Sequence, residues 1–74
     1  MMRLSDMVLG DKGVVVKIEG KDLEIALLGL GLVAGDRFEV SEHAPFGGPI
    51  ALRLPGSKIA LRKADAYRVL VNPN

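Results

Sequence analysis

The chain has 74 residues, 49% of them hydrophobic, with no cysteine, one histidine and a net charge of +1. That length confines it to one domain, and the lack of cysteine excludes a disulfide framework and a thiolate metal cage. The near-neutral balance implies neither a nucleic-acid nor a membrane-surface partner, and no apolar run approaches the ~20 residues of a membrane span.

The charge is unevenly spread. Residues 1–42 carry eight acids and five bases, whereas residues 43–74 carry one acid and five bases. The opening "MMRLSDMVLGDKG" places acids where a secretory leader needs an apolar stretch, so a cytoplasmic protein is expected. A core of this size rarely supplies more than ~3–5 kcal/mol. A compact barrel, self-association, or both should provide the rest.

In chain order, "LSDMVLGDKG" predicts one helical turn ending at Gly10. "GVVVKIEG" then alternates Val14, Val16 and Ile18 with Val15, Lys17 and Glu19, the period of a half-buried strand. The period changes in "KDLEIALLGLG". Leu23, Ala26, Leu27 and Leu30 recur at helical spacing, with Asp22 as N-cap and Gly31 just past the end. After the turn "VAGD", "RFEVSEHAP" alternates again with Phe38 and Val40 on one face. "PFGGP" is a turn. "IALRLPGSKIALR" predicts a hairpin whose two-residue Pro55-Gly56 loop pairs Leu52 with Ile59 and Arg53 with Lys58. "KADA" is a short helical turn, and "YRVLV" a last strand with Tyr67, Val69 and Val71 on one face. Five short, mostly antiparallel strands are too few for a sandwich; rolled up, they make a small barrel.

Gly29, Gly31 and Ala34 also fit the dinucleotide pattern G-x-G-x-x-G/A. That motif needs a strand before it and a helix after it. Here the order is reversed, so no helix N-terminus is offered to a pyrophosphate.

The early "LSD", the helix-then-glycine "LGLVAGD", the loop "APFGGP" and the closing "LR.ADAYRVLV" stand in an order and spacing that resembles the FeoA family, from about Leu4 to Val71. The same module resembles the C-terminal domain of DtxR-type iron-dependent repressors. The resemblance implies a five-stranded SH3-like barrel with a helix inserted between its first and second strands. It also implies a non-enzymatic cytosolic partner of FeoB, the ferrous-iron permease with a GTP-binding domain. An alternative role is a regulatory domain within a metal-dependent transcription system. Three departures stand out. Ala34-Gly35 replaces Pro-Gly, Gly47-Gly48-Pro49 replaces Gly-Asp-Pro, and Glu24, Ile25 and Ala26 occupy a segment that is often basic.

The candidate residues divide as follows. His43, with Glu39 and Glu42 nearby, is either a weak metal ligand or a surface histidine; a metal site needs three or four donors, so no cofactor is expected. Arg53, Lys58 and Arg62 form either a basic docking patch or a solvated sheet face. Phe38, Phe46 and Tyr67 are too few and too scattered to stack bases or line a proline-binding groove. The helix carries a second apolar stripe, Ile25, Leu28 and Leu32. Either Met7 and Val8 fold over that stripe, or it is an exposed patch for the permease or a second copy. Gly31, Gly35, Gly47 and Gly48 are read as structural turn positions, with φ > 0 at Gly31 or Gly35.

Overall fold

The apolar runs pair into one antiparallel sheet. A computed structural model describes all 74 residues. Its strands are β1 (Met2–Arg3), β2 (Lys12–Ile18), β3 (Arg37–His43), β4 (Ile50–Leu54), β5 (Ser57–Leu61) and β6 (Val69–Pro73), ordered β1-β6-β2-β3-β4-β5. Helix α1 (Lys21–Leu30) lies between β2 and β3, and the short α2 (Lys63–Ala66) between β5 and β6. A 3-10 turn, Leu4–Asp6, follows β1.

The sheet has six strands rather than five, and its two outer strands are not paired to each other. The extra strand is the pair Met2↔Val71 and Arg3↔Leu70, too short to leave a period in the sequence. The helix therefore sits between the second and third strands. The open edges are guarded in an ordinary way: β1 has two residues and β5 carries Lys58.

The hairpin has the expected register, with Leu52 opposite Ile59 and Arg53 opposite Lys58. Strand β2 departs from simple alternation. Its register with β6 shifts between Val15 and Lys17, so Val15 and Ile18 are both buried while Val16 is exposed. A bulge of this kind turns the strand by one residue, which a period-two reading cannot anticipate. A second shift, between Val40 and Glu42, bends β3. Strand β6 begins at Val69, and Tyr67 caps α2 with its ring exposed, so Tyr67 does not share a face with Val69 and Val71.

One cluster of 17 buried residues forms the core, drawn from β2 to β6, both helices and the N-terminal turn. Met7 is inside it; a Cβ on Gly13 would stand 3.1 Å from Met7 Cε and from Phe38 Cζ. No buried side-chain polar atom lacks a partner.

Helix α1 starts at Lys21 after Gly20, without a side-chain cap. Asp22 is not the N-cap; it is turned toward Arg68, 2.7 Å away. The helix ends in a Schellman motif. Gly31, at φ 94°, donates to Leu28 O, and Leu32 donates to Leu27 O. That motif places an apolar residue after the glycine onto the helix's buried face. Leu27 and Leu32 are accordingly both buried, at 1% and 0% exposure. Gly35, at φ 96°, completes the next turn, in which Asp36 N–H donates to Val33 O.

A Cβ at Gly31 or Gly35 would meet no neighbour, so the cost of substitution there is backbone strain alone. Gly31→Val and Gly35→Val are each expected to lower unfolding free energy by more than about 1 kcal/mol. Urea denaturation checks this, and wild-type midpoints for both would contradict it.

Candidate interaction surface

The core reaches α1 through Leu23 and Leu27 only. Ala26 and Leu30, expected on the inner face, are exposed: the core ends before the helix does. Leu32, expected on the outer stripe, is fully buried by the Schellman turn and is not available to a partner.

What remains outside is an apolar patch. Ile25 is 62% exposed and Leu28 60%, and Leu30 and Val33 are also open. Ile25, Leu28, Val33 and Ala34 line a shallow cleft of about 340 Å³ with Lys21 and Glu24 at its rim. The left-handed turn at Gly31 makes this cleft. It sends Leu32 inward and brings Val33 and Ala34 back beside the helix. Met7 and Val8 do not cover the stripe. Met7 is spent in the core, and Val8 is itself exposed.

The hairpin cations do not form an open basic patch. Arg53 lies 3.5 Å from Glu39, Lys58 2.7 Å from Glu42, and Arg62 3.0 Å from Asp65. Each positive charge has a carboxylate beside it, so the face is a set of exposed ion pairs. His43 is half-buried at the end of β3, in a cleft of about 320 Å³ with Leu9, Ser41, Glu42 and Ala44. Glu42 is engaged by Lys58, and no group of three or more potential ligands gathers there or elsewhere. Gly47 has φ 77°, while a Cβ on Gly48 would fall 2.6 Å from that of Ala44. Gly47 thus has a conformational reason to be glycine and Gly48 a steric one.

An ion-pair network unseen in the sequence fixes how the helix is presented. Arg3 bonds Glu19 and the carbonyl of Tyr67, and its guanidinium lies 4.3 Å from the centre of the Tyr67 ring. Arg68 donates to Glu19 O at 3.2 Å and to both Asp22 carboxylate oxygens. Gly20 holds φ 93°, a conformation that favours glycine, and a Cβ there would displace the Arg68 guanidinium. Together these contacts fasten the start of α1 to β1 and to the α2–β6 junction. The partners are 16 to 64 residues apart in sequence, and no local pattern signals them.

These bonds hold three carboxyls below their usual range: Glu19 through Arg3, Asp22 through Arg68, and Glu42 through Lys58. Arg3 and Arg68 are correspondingly raised.

Residues 2–73 match the FeoA domain family. The chain belongs to that family. It is 34% identical over 71 residues to the Fe(2+) transport protein A/Fe(2+) transporter FeoB fusion protein of Porphyromonas gingivalis. That match takes in 95% of this chain but 8% of the fusion protein's length. Among solved structures, the FeoA fold is close to the crystal structure of an iron uptake regulatory protein (FeoA), with 38% identity and a TM-score of 0.88 over 99% of this chain and 97% of that one. The FeoA protein of Chlorobium tepidum gives 30% identity and a TM-score of 0.86, over 97% of this chain and 70% of that one. A manganese-dependent transcriptional repressor shares the fold, with a TM-score of 0.87 at 20% identity over 97% of this chain and 41% of that one. The SH3-like class of fold is consistent with all of these. No helix of this chain is long and apolar enough to cross a membrane.

Two expectations follow. A lowered carboxyl pKa stabilises the fold above the ordinary value of about 4 and ceases to do so as pH falls through the lowered one. Melting temperature should therefore drop as pH falls below about 5, and Glu19→Gln should flatten part of that drop. Circular dichroism melts across this range test it; an unchanged slope in Glu19→Gln would discount the Arg3–Glu19 pair. For metal, one imidazole cannot close a site alone. Calorimetry with Fe2+ or Zn2+ should show no sub-micromolar one-to-one binding that His43→Ala abolishes.

Proposed function

We propose that this chain is a non-enzymatic cytoplasmic accessory protein of FeoB-type ferrous-iron transport, acting by protein contact through the exposed face of α1. The observation that carries the reading is the apolar cleft of Ile25, Leu28, Val33 and Ala34. It lies on a module that is part of the same polypeptide as the transporter in the Porphyromonas gingivalis relative. An apolar patch left open on a small soluble domain is suited to association. The partner is the permease or its GTP-binding domain, with a second copy of this chain as a competing occupant.

The charged side chains Arg3, Glu19, Asp22, Glu42 and Arg68 are engaged in exposed ion pairs, which leaves the apolar face of α1 as the feature open to a partner. The likeness to manganese-dependent repressors, at 20% identity, concerns the fold alone and does not favour the transcriptional reading.

Ile25→Glu and Leu28→Lys test the proposal. Both positions are open, and Leu23, Leu27 and Leu32 keep the core, so both variants should melt close to wild type. Burying such a side chain in an interface contributes roughly 1.5–3 kcal/mol. Each variant should therefore weaken binding to the purified transporter by roughly 10- to 100-fold. Sedimentation of the isolated protein separates the occupants: self-association lost in both variants, with transporter binding unchanged, would assign the face to a second copy. Unfolding of either variant would mean that the stripe belongs to the core.

A further inference from the structure

Phe46 is the anomaly of this molecule. It is completely exposed, and at φ 57° it is the one residue other than glycine with a positive φ. Gly47 follows at φ 77°, and Gly48 N–H donates to Pro45 O at 3.2 Å. Two successive positive φ values inside a hydrogen-bonded four-residue turn mark the type I′ arrangement. Its central positions normally take Asn, Asp or Gly. A bulky side chain there is strained. The strain is held in place by the base of the turn, where Ala44 N–H donates to Pro49 O at 3.0 Å and Gly48 packs against Ala44.

Nothing inside the chain offsets that strain, because the ring packs on nothing. Asparagine would close the same turn with less strain and without exposing an aromatic. A conformation that costs stability and buries no surface indicates a contact outside the molecule. The surroundings indicate its chemistry. From Ala44 to Leu52 no residue is charged. At the base of the turn lies the cleft of Leu9, Ser41, Glu42, His43 and Ala44, with Leu9 67% exposed. An aromatic tip above a partly polar rim is the make-up of a protein-binding anchor. A lipid surface is disfavoured, since the turn itself, from Ala44 to Leu52, carries no cation for anionic headgroups and Lys58 is engaged by Glu42.

We infer that the Pro45–Gly48 turn is a docking knob that seats the Phe46 ring in an apolar pocket of the transporter protein. The inference rests on the accessory-protein reading above and adds to it a second contact, separate from α1.

The test compares wild type, Phe46→Asn and Phe46→Leu, by thermal melts and by titration against the purified full-length transporter in detergent. Phe46→Asn should melt above wild type yet bind about 10-fold or more weakly. Phe46→Leu, which keeps an apolar tip, should retain most of the affinity. If wild type binds and Phe46→Asn binds equally well, the knob is refuted while the accessory reading stands. If wild type does not bind, both fall. A Phe46→Asn protein that melts below wild type refutes the strain argument. Binding of wild type, but not Phe46→Asn, to phosphatidylserine-containing vesicles would replace the protein pocket with a lipid surface. Self-association lost on sedimentation of Phe46→Asn would replace it with a second copy.

Discussion

Leu27 and Leu32 are five residues apart, on either side of a helix end, yet both lie wholly inside the core. The left-handed turn at Gly31 makes this possible, and much of the outer surface follows from it. Because Leu32 is drawn inward, the chain must turn at once to reach β3, and Val33 and Ala34 are left beside the helix. Because the core holds α1 by so few side chains, Ile25, Leu28 and Leu30 have nothing to pack on. The cleft is thus a by-product of how the helix is closed. A chain this short has too little material to bury both the sheet's inner face and all sides of an apolar helix.

The distribution of charge sharpens this picture. Arg53, Lys58, Arg62, Arg3 and Arg68 each have a carboxylate partner. Exposed pairs of this kind add little stability individually. Their larger consequence is for recognition: they leave the hairpin face without a dominant sign. On that face no net charge is left to attract a partner of one sign. The Arg3 and Arg68 network also has a geometric role, since it orients the helix whose core contacts are few.

The hairpin was legible in the sequence because two signals agreed, the alternation of Leu52, Leu54, Ile59 and Leu61 and the Pro55-Gly56 turn. The helix and its glycine stop were legible for similar reasons. The bulge at Val16 was not, since it depends on the register with β6, some 50 residues on. The two-residue β1 was too short to show a period. Leu32 was assigned to the outer stripe by extending helical spacing past Gly31, where the backbone is no longer helical. Phe46 was read only as a loop residue. Its conformation depends on hydrogen bonds at the base of the turn, which composition does not record.

The pairing of Met2 with Val71 has a consequence for architecture. It sets the first and last strands side by side, so the fold's first and last strands start and finish at neighbouring positions of the sheet. A fold built in this way behaves as a cassette. It can be appended to a larger protein at either end, or spliced into a surface loop, without rerouting any internal connection. The α1 cleft is assembled from the segment between β2 and β3, away from both junctions in sequence, and it would be carried unchanged into each such arrangement.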